Sequence, residues 1–185
     1  ANQRDLPLDI EYNKYILSVG RIETRKNQEL LLDIYLENKY YEKNIKLVFV
    51  GSSAFCSKEF LNKRNNLKKS GLDKHVIFLE NISEQLLFTL YKYCLVHIYI
   101  SKCEGFGIPP LESISLGSIT ICSNTTAMSD FDFFRELHVN PEDKETIKLL
   151  IEKILKGDTQ ELLNDDLQKI KSIIDVKYNW NQTVK

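Results

Sequence analysis

The sequence predicts an α/β fold: a Rossmann-like, doubly wound parallel sheet of about six strands with helices on both faces. Three observations carry this. Short apolar runs alternate with amphipathic stretches, the pattern of repeated βαβ units. The strand-sized runs are apolar nearly throughout, as strands covered on both faces must be. The chain has 185 residues, 43% hydrophobic and 28% charged, which suits one domain with a core of its own.

The elements follow in order. Polar residues 1–14 are expected to be a linker or N-terminal extension, and residues 15–185 the domain. Tyr15–Val19 forms a first strand, ended by Gly20. Asn27 is placed to cap a helix, Glu29 suits the positive end of its dipole, and Leu30, Leu31, Ile34 and Tyr35 give it an apolar face. Lys46–Val50 is a second strand, stopped by Gly51-Ser52-Ser53. The Lys-rich stretch 57–69 is a surface helix, with Lys63, Arg64, Lys68 and Lys69 on solvated faces. Val76–Leu79 is a third strand. Ser83 caps a helix that aligns Leu86, Leu87, Leu90 and Tyr91. Residues 95–100 make a fourth strand, Pro109-Pro110 opens the next helix, and residues 118–122 make a fifth strand. Residues 137–139 form a short sixth, and 144–155 and 160–175 are helical by pattern.

Composition narrows the function. Lys and Arg number 25 and Asp and Glu 26, a balance that argues against a dedicated nucleic-acid binder. None of Cys56, Cys94, Cys103 and Cys122 forms a C-x-x-C pair, so no zinc site is expected, and Cys94 and Cys122 suit a buried setting in a reducing compartment. The first residues are polar, and no apolar run approaches the roughly 20 residues of a membrane span, so a cytoplasmic location is expected. His97 suits a hydrogen-bonded core position, His75 a solvated one beside Lys74, and His138 has no evident partner. The loop after the first strand lacks a dinucleotide G-x-G-x-x-G, and Gly51-Ser-Ser is too sparse for a P-loop.

In doubly wound sheets ligands bind beyond the carboxyl ends of the strands. After the fourth strand stands Glu104-Gly-Phe-Gly-Ile-Pro-Pro-Leu-Glu112, two carboxylates separated by seven residues. Gly105 and Gly107 let the backbone approach a ligand. The amides of Phe106, Gly107, Ile108 and Leu111 then open a helix whose N-terminus suits an anion. The two carboxylates suit hydroxyl groups, a ribose on one side and a sugar on the other. After the first strand come Arg21, Arg25 and Lys26. This cluster is expected to face the glycine loop and to neutralise a diphosphate leaving group.

These residues carry a resemblance. Ser18-Val-Gly-Arg21 with Lys26, Leu47-Val-Phe-Val-Gly51, Val76–Leu79 and above all Glu104–Glu112 resemble the C-terminal, donor-binding domain of GT-B glycosyltransferases of family 4, the group 1 glycosyl transferases. The likeness extends through residues 118–124, Asn140-Pro-Glu-Asp143 and Asn179-Trp180. It implies that this chain is one half of a GT-B fold. Arg21 and Lys26 would hold the donor's diphosphate beside Gly20, with the amides at Gly105, Phe106, Gly107 and Ile108 on the other side. Glu104 would meet hydroxyls of the donor sugar and Glu112 those of the ribose, and Ile77, Phe78 and Leu79 would line the nucleobase pocket. The family retains anomeric configuration and needs no bound metal. The implied reaction moves a hexose-type sugar from a nucleotide sugar to a glycan or lipid-linked acceptor, as in polysaccharide biosynthesis. The implied partner is an N-terminal GT-B domain, which would also supply any peripheral membrane association; no nucleic acid is involved. The alternative is a stand-alone module that holds a nucleotide sugar or a partner without transfer. Departures from the family pattern are Glu80 in place of a glycine, Thr126–Asp130 in place of a Pro-Glu pair, and Glu136–Val139 in place of a small-residue strand.

Overall fold

A computed structural model describes residues 6–7, 9–53, 55–157 and 168–174. Strands β1 (Tyr15–Val19), β2 (Lys46–Val50), β3 (Val76–Leu79), β4 (Val96–Tyr99), β5 (Thr120–Ser123) and β6 (His138–Val139) form one sheet in the order β3-β2-β1-β4-β5-β6. Every pairing is parallel. The order reverses between β1 and β4, so the chain leaves these neighbours in opposite directions and opens a crevice beyond their carboxyl ends.

The alternation of side chains sorts the strands' apolar residues into two cores. Ile16, Leu47, Phe49, Val96 and Ile98 pack with Leu31 and Ile34 of α1 (Gln28–Glu37), Phe60 and Leu67 of α2 (Lys58–Lys69), and Ile147 and Ile151 of α5 (Lys144–Lys156). Tyr15, Leu17, Val48 and Val50 pack with Leu90 and Tyr91 of α3 (Glu84–Tyr93). Helix α4 (Ile108–Ser115) lies against α3, β4 and β5. Of the segment 1–14, Leu6 and Ile10 are buried in the second core and Tyr12 stacks on Tyr93 at 4.2 Å, so these residues lie against the domain.

Among the described residues, three helices have side-chain caps. Ser57 accepts from the Phe60 amide at 3.0 Å, Ser83 from Leu86 at 3.2 Å and Asp143 from Thr146 at 3.0 Å, each worth about 1 kcal/mol. Asn27 does not cap α1. It sits at the N-cap position in the left-handed region (φ 61°), and its side chain instead donates to the Pro141 carbonyl at 2.7 Å, tying the segment after β6 to α1. The first three strands have the limits read from the sequence. The fourth is one residue shorter at each end, and the fifth starts at Thr120 because Ser118 is held in the turn, its hydroxyl donating to the Tyr91 carbonyl. Residues 168–174 are helical; the rest of 160–175, and Asn179-Trp180, lie outside the described residues.

Several polar residues depart from expectation. His97 is fully buried, but neither ring nitrogen has a hydrogen-bond partner among the described residues. Its ring meets the Tyr91 ring edge-on at 5.2 Å and lies 6.0 Å from that of Tyr99. Burial alone pushes its pKa down to about 3, so it is neutral. His138 does have a partner, the Met128 carbonyl at 2.9 Å from Nε2. His75 is half-buried, and burial with Lys74 and Lys46 pushes its pKa down. Lys63 is not simply solvated: it bridges Asp33 at 2.7 Å and Glu29 at 2.9 Å. Arg64 lies over the Phe78 ring at 4.2 Å and donates to the Ser53 hydroxyl. Lys68 and Lys69 are exposed as expected, and Cys94 and Cys122 are buried, free thiols.

Candidate active site

The site grows from the adjacency of β1 and β4, which pair at Ile16–Val96 and Leu17–His97. Their following loops meet backbone to backbone. The Lys102 amide and the Ser101 hydroxyl both donate to the Arg25 carbonyl, at 2.7 and 3.0 Å. The β1 loop also meets the β2 loop closely. An added Cβ on Gly51, at φ 141°, would lie 2.3 Å from the Gly20 carbonyl oxygen, so only glycine fits there.

The charges converge on Glu104. Lys26 Nζ lies 2.5 Å from Glu104 Oε1, and Arg25 Nη1 lies 3.0 Å from Oε2. Arg25 Nη2 reaches Glu23 at 2.7 Å, and Nη1 also donates to the Cys103 carbonyl at 2.8 Å. Lys26 donates to the Tyr99 hydroxyl at 2.6 Å, and its amine end lies over Gly20. Burial pushes the Glu104 carboxyl up, but the Lys26 ammonium, the Ser101 hydroxyl and Arg25 together outweigh it and hold the group below the usual carboxylate range. Burial, joined by the Glu104 charge, pushes the Tyr99 phenol up, so it stays protonated.

The glycine loop turns into α4 at Gly107, whose φ of 92° marks the left-handed region. A methyl there would lie 2.7 Å from Met128 Cγ and 3.2 Å from the Phe131 ring. No side chain among the described residues caps α4, which leaves its positive end open to an anion. The Glu104 amide donates to the Thr126 hydroxyl at 2.9 Å. Phe106 and Ile108 are exposed. Glu112 stands in the second turn of α4, half-buried, and accepts from the Tyr91 hydroxyl at 3.3 Å.

The structure thus brings Gly20, Lys26 and Glu104 together. Arg21 is exposed, with its guanidinium 6.0 Å from the Phe55 ring centre. Leu79 reaches the crevice loops through its carbonyl, which accepts from the Gly51 amide at 2.9 Å. Phe78 is engaged with Phe49, Phe60 and Arg64, and Ile77 packs on the second core. Glu80 accepts from the Ser53 amide and hydroxyl, binding the β3 loop to the β2 loop. Sequence reading gave no site role to Tyr99, Tyr91 or Thr126. The first two had a signal, a phenol at the end of an otherwise apolar strand or helix face; Thr126 stood out only within a departure from the family pattern.

No helix among the described residues is long and apolar enough to cross a membrane. Known proteins share this fold. The described fold superposes on the C-terminal domain of a glycosyl transferase group 1 family protein (LpcC) from Francisella tularensis with a TM-score of 0.76, at 20% identity, covering 95% of this chain and 92% of that one. It also matches the structure described as "Trehalose-6-phosphate from E. coli bound with UDP-2-fluoro glucose", with a TM-score of 0.68 at 16% identity, covering 87% and 40%. In sequence, the chain is 30% identical over 174 residues to a serotype-specific mannosyltransferase WbdA of Escherichia coli, covering 92% of this chain and 21% of that protein. It is 32% identical over 131 residues to the alpha-1,3/1,6-mannosyltransferase ALG2 of Dictyostelium discoideum, covering 64% and 31%. The chain spans about a fifth of the length of the WbdA relatives. Residues 4–171 match the family described as glycosyl transferases group 1, and the chain belongs to that family.

Proposed function

We propose that this chain is the nucleotide-sugar-binding part of a retaining glycosyltransferase that moves a hexose-type sugar to a glycan or lipid-linked acceptor. The observation that carries the reading is the meeting of Lys26, Arg25 and Glu104 at the sheet's switch point, beside the uncapped start of α4. A diphosphate in the crevice would meet the Lys26 ammonium, Arg21 from the rim and the first amides of α4. These fixed positive groups would stabilise the charge that grows on the diphosphate as the sugar leaves, with no need for a metal. Glu104 would accept hydrogen bonds from sugar hydroxyls and Glu112 from the ribose. The base would lie towards the carboxyl end of β3, near Leu79. The mannosyltransferase relatives support a mannose-type hexose, and the bound UDP-sugar of a structural neighbour supports a nucleotide-sugar donor. The acceptor, closure against water and any contact with the cytoplasmic membrane face would come from an N-terminal GT-B domain. The isolated chain should therefore bind a donor without transferring its sugar.

Calorimetry on the chain with UDP, GDP, UDP-glucose and GDP-mannose tests this. Arg21→Ala and Lys26→Ala should each weaken the nucleoside diphosphate that binds by about tenfold, the effect of one lost charge-assisted hydrogen bond. Unchanged affinity in both variants would remove the pair from the site.

A further inference from the structure

Arg25 was expected to join Arg21 and Lys26 against a diphosphate, but its bonds point elsewhere. One guanidinium nitrogen, Nη1, serves both Glu104 Oε2 and the Cys103 carbonyl, and the other, Nη2, reaches Glu23. Its charge lies between two carboxylates, which leaves little net attraction for a phosphate. Its backbone carbonyl holds the same loop from the other side, accepting from Ser101 and Lys102. Arg25 thus grips the Glu104 loop with both side chain and main chain. The grip starts from a rigid base: the 3-10 turn Thr24–Lys26 closes with the Asn27 amide on the Thr24 carbonyl.

We propose that Arg25 is a positioning residue: it fixes the orientation of the Glu104 carboxylate for the sugar of a bound donor and does not itself hold the diphosphate. This rests on reading the crevice as a donor site. In the free chain, Glu104 has one oxygen on Lys26 and the other on Arg25. A diphosphate would compete with Glu104 for the Lys26 ammonium. Arg25 is then the cation that keeps the carboxylate in place, and its planar fork sets direction as well as charge. The groups that face Glu104 are Arg25 and Lys26 from the turn after β1, Tyr99 at the end of β4, Ser101 from the loop after it, and Cys122 from β5, with Glu23 across Arg25. Of the two cations, Arg25 is the more exposed, its side chain 39% accessible against 10% for Lys26, so substituting it leaves the core alone.

The test uses Arg25→Gln and Arg25→Lys with two readouts. The first is the carboxyl titration of Glu104 in the ligand-free chain, followed by carbon NMR and assigned with Glu104→Gln. Arg25→Gln should move the midpoint upward and Arg25→Lys should restore part of the shift. The second compares UDP with UDP-glucose and GDP with GDP-mannose by calorimetry. Arg25→Gln should weaken the sugar nucleotide by about tenfold and the bare nucleoside diphosphate by less than about twofold, and the acid loss of sugar-nucleotide binding should begin at higher pH. An unchanged Glu104 midpoint overturns the proposal. Equal losses for the bare and sugar-bearing nucleotides also overturn it and make Arg25 a phosphate ligand. If the unsubstituted chain binds none of the four nucleotides, the donor reading fails, and the titration still decides whether Arg25 governs Glu104.

Discussion

The two glutamates at the ends of one nine-residue motif are positioned by different means. Glu104 stands on an irregular loop and is held by two cations, a neighbouring hydroxyl field and the clasp of its own amide on Thr126. Glu112 stands on a helix, where it accepts a hydrogen bond from the Tyr91 hydroxyl. A helical backbone already fixes where a side chain begins and which way it leans, so one hydrogen bond completes the aim. A loop supplies no such frame, and electrostatic clamps must provide it. Disturbing the loop's backbone should therefore cost far more than disturbing the helix side chain's partner.

The largest effect should come where the loop joins the helix. At Gly107 an alanine methyl would meet Met128 at 2.7 Å with a backbone already in the left-handed region, whereas at Gly105 it would meet nothing within 4 Å. Gly107→Ala should cost about 2–3 kcal/mol, from strain and crowding together, and lower the Tm by roughly 5–10 °C. Gly105→Ala should change it by less than about 2 °C. Equal melting temperatures for the two variants would show that the loop does not rely on its joint.

The next effect lies behind Glu112, where the ring of Tyr91 rests on buried His97. The ordinary histidine pKa of 6.5 falls to about 3 in this fold. The unfolded chain takes up the proton below pH 6.5, while the folded chain stays neutral until about pH 3. Stability is thus complete above pH 6.5 and is lost as the pH falls, at about 1.4 kcal/mol per pH unit. Glu104, also held low, adds a loss of the same sign only in the acid range where free carboxyls titrate. His75, pushed down as well, acts with the same sign, so the difference between variants is the diagnostic. Urea unfolding between pH 6.5 and 5 should show a slope about one proton smaller in His97→Leu than in the unsubstituted chain. An unchanged slope would mean that His97 accepts a proton within the fold.

The contrast also explains what the sequence could reveal. The strands were legible because burial on both faces leaves apolar runs with few readings, and the cap Ser83 because its chemistry is local. The Glu104–Glu112 spacing and the cations after β1 were legible for the same reason. Their pairing was not. The bonds of Arg25 to Cys103 and Glu104 cross 78 or more residues and depend on the strand order. Asn27 looked like a cap because the sequence does not show that Pro141 lies within reach of its side chain. His97 looked like a hydrogen-bonded core histidine because its apolar neighbours in sequence said nothing of the aromatic rings that close around it.

The smallest effect tests the helix side directly. Tyr91 is fully buried, and burial with the nearby Glu112 charge pushes its phenol up, so it remains a hydrogen-bond donor. Tyr91→Phe keeps the ring and its contact with His97 and removes only the hydroxyl. One such bond is worth roughly 0.5–1.5 kcal/mol, so a nucleoside diphosphate should bind about three- to tenfold more weakly. A general loosening of the fold would produce the same loss, and the ligand's own hydroxyls separate the two. If Glu112 meets the ribose, the unsubstituted chain prefers a ribonucleoside diphosphate over its 2′,3′-dideoxy form, and Glu112→Gln loses most of that preference. Tyr91→Phe should lose part of it, because a carboxylate without its anchor meets the ribose less well, while the affinity for the dideoxy form stays nearly constant. A weakened preference with constant dideoxy affinity assigns the effect to the aim of Glu112. Equal weakening for both nucleotides assigns it to packing, and the helix would then be positioning Glu112 without help from Tyr91.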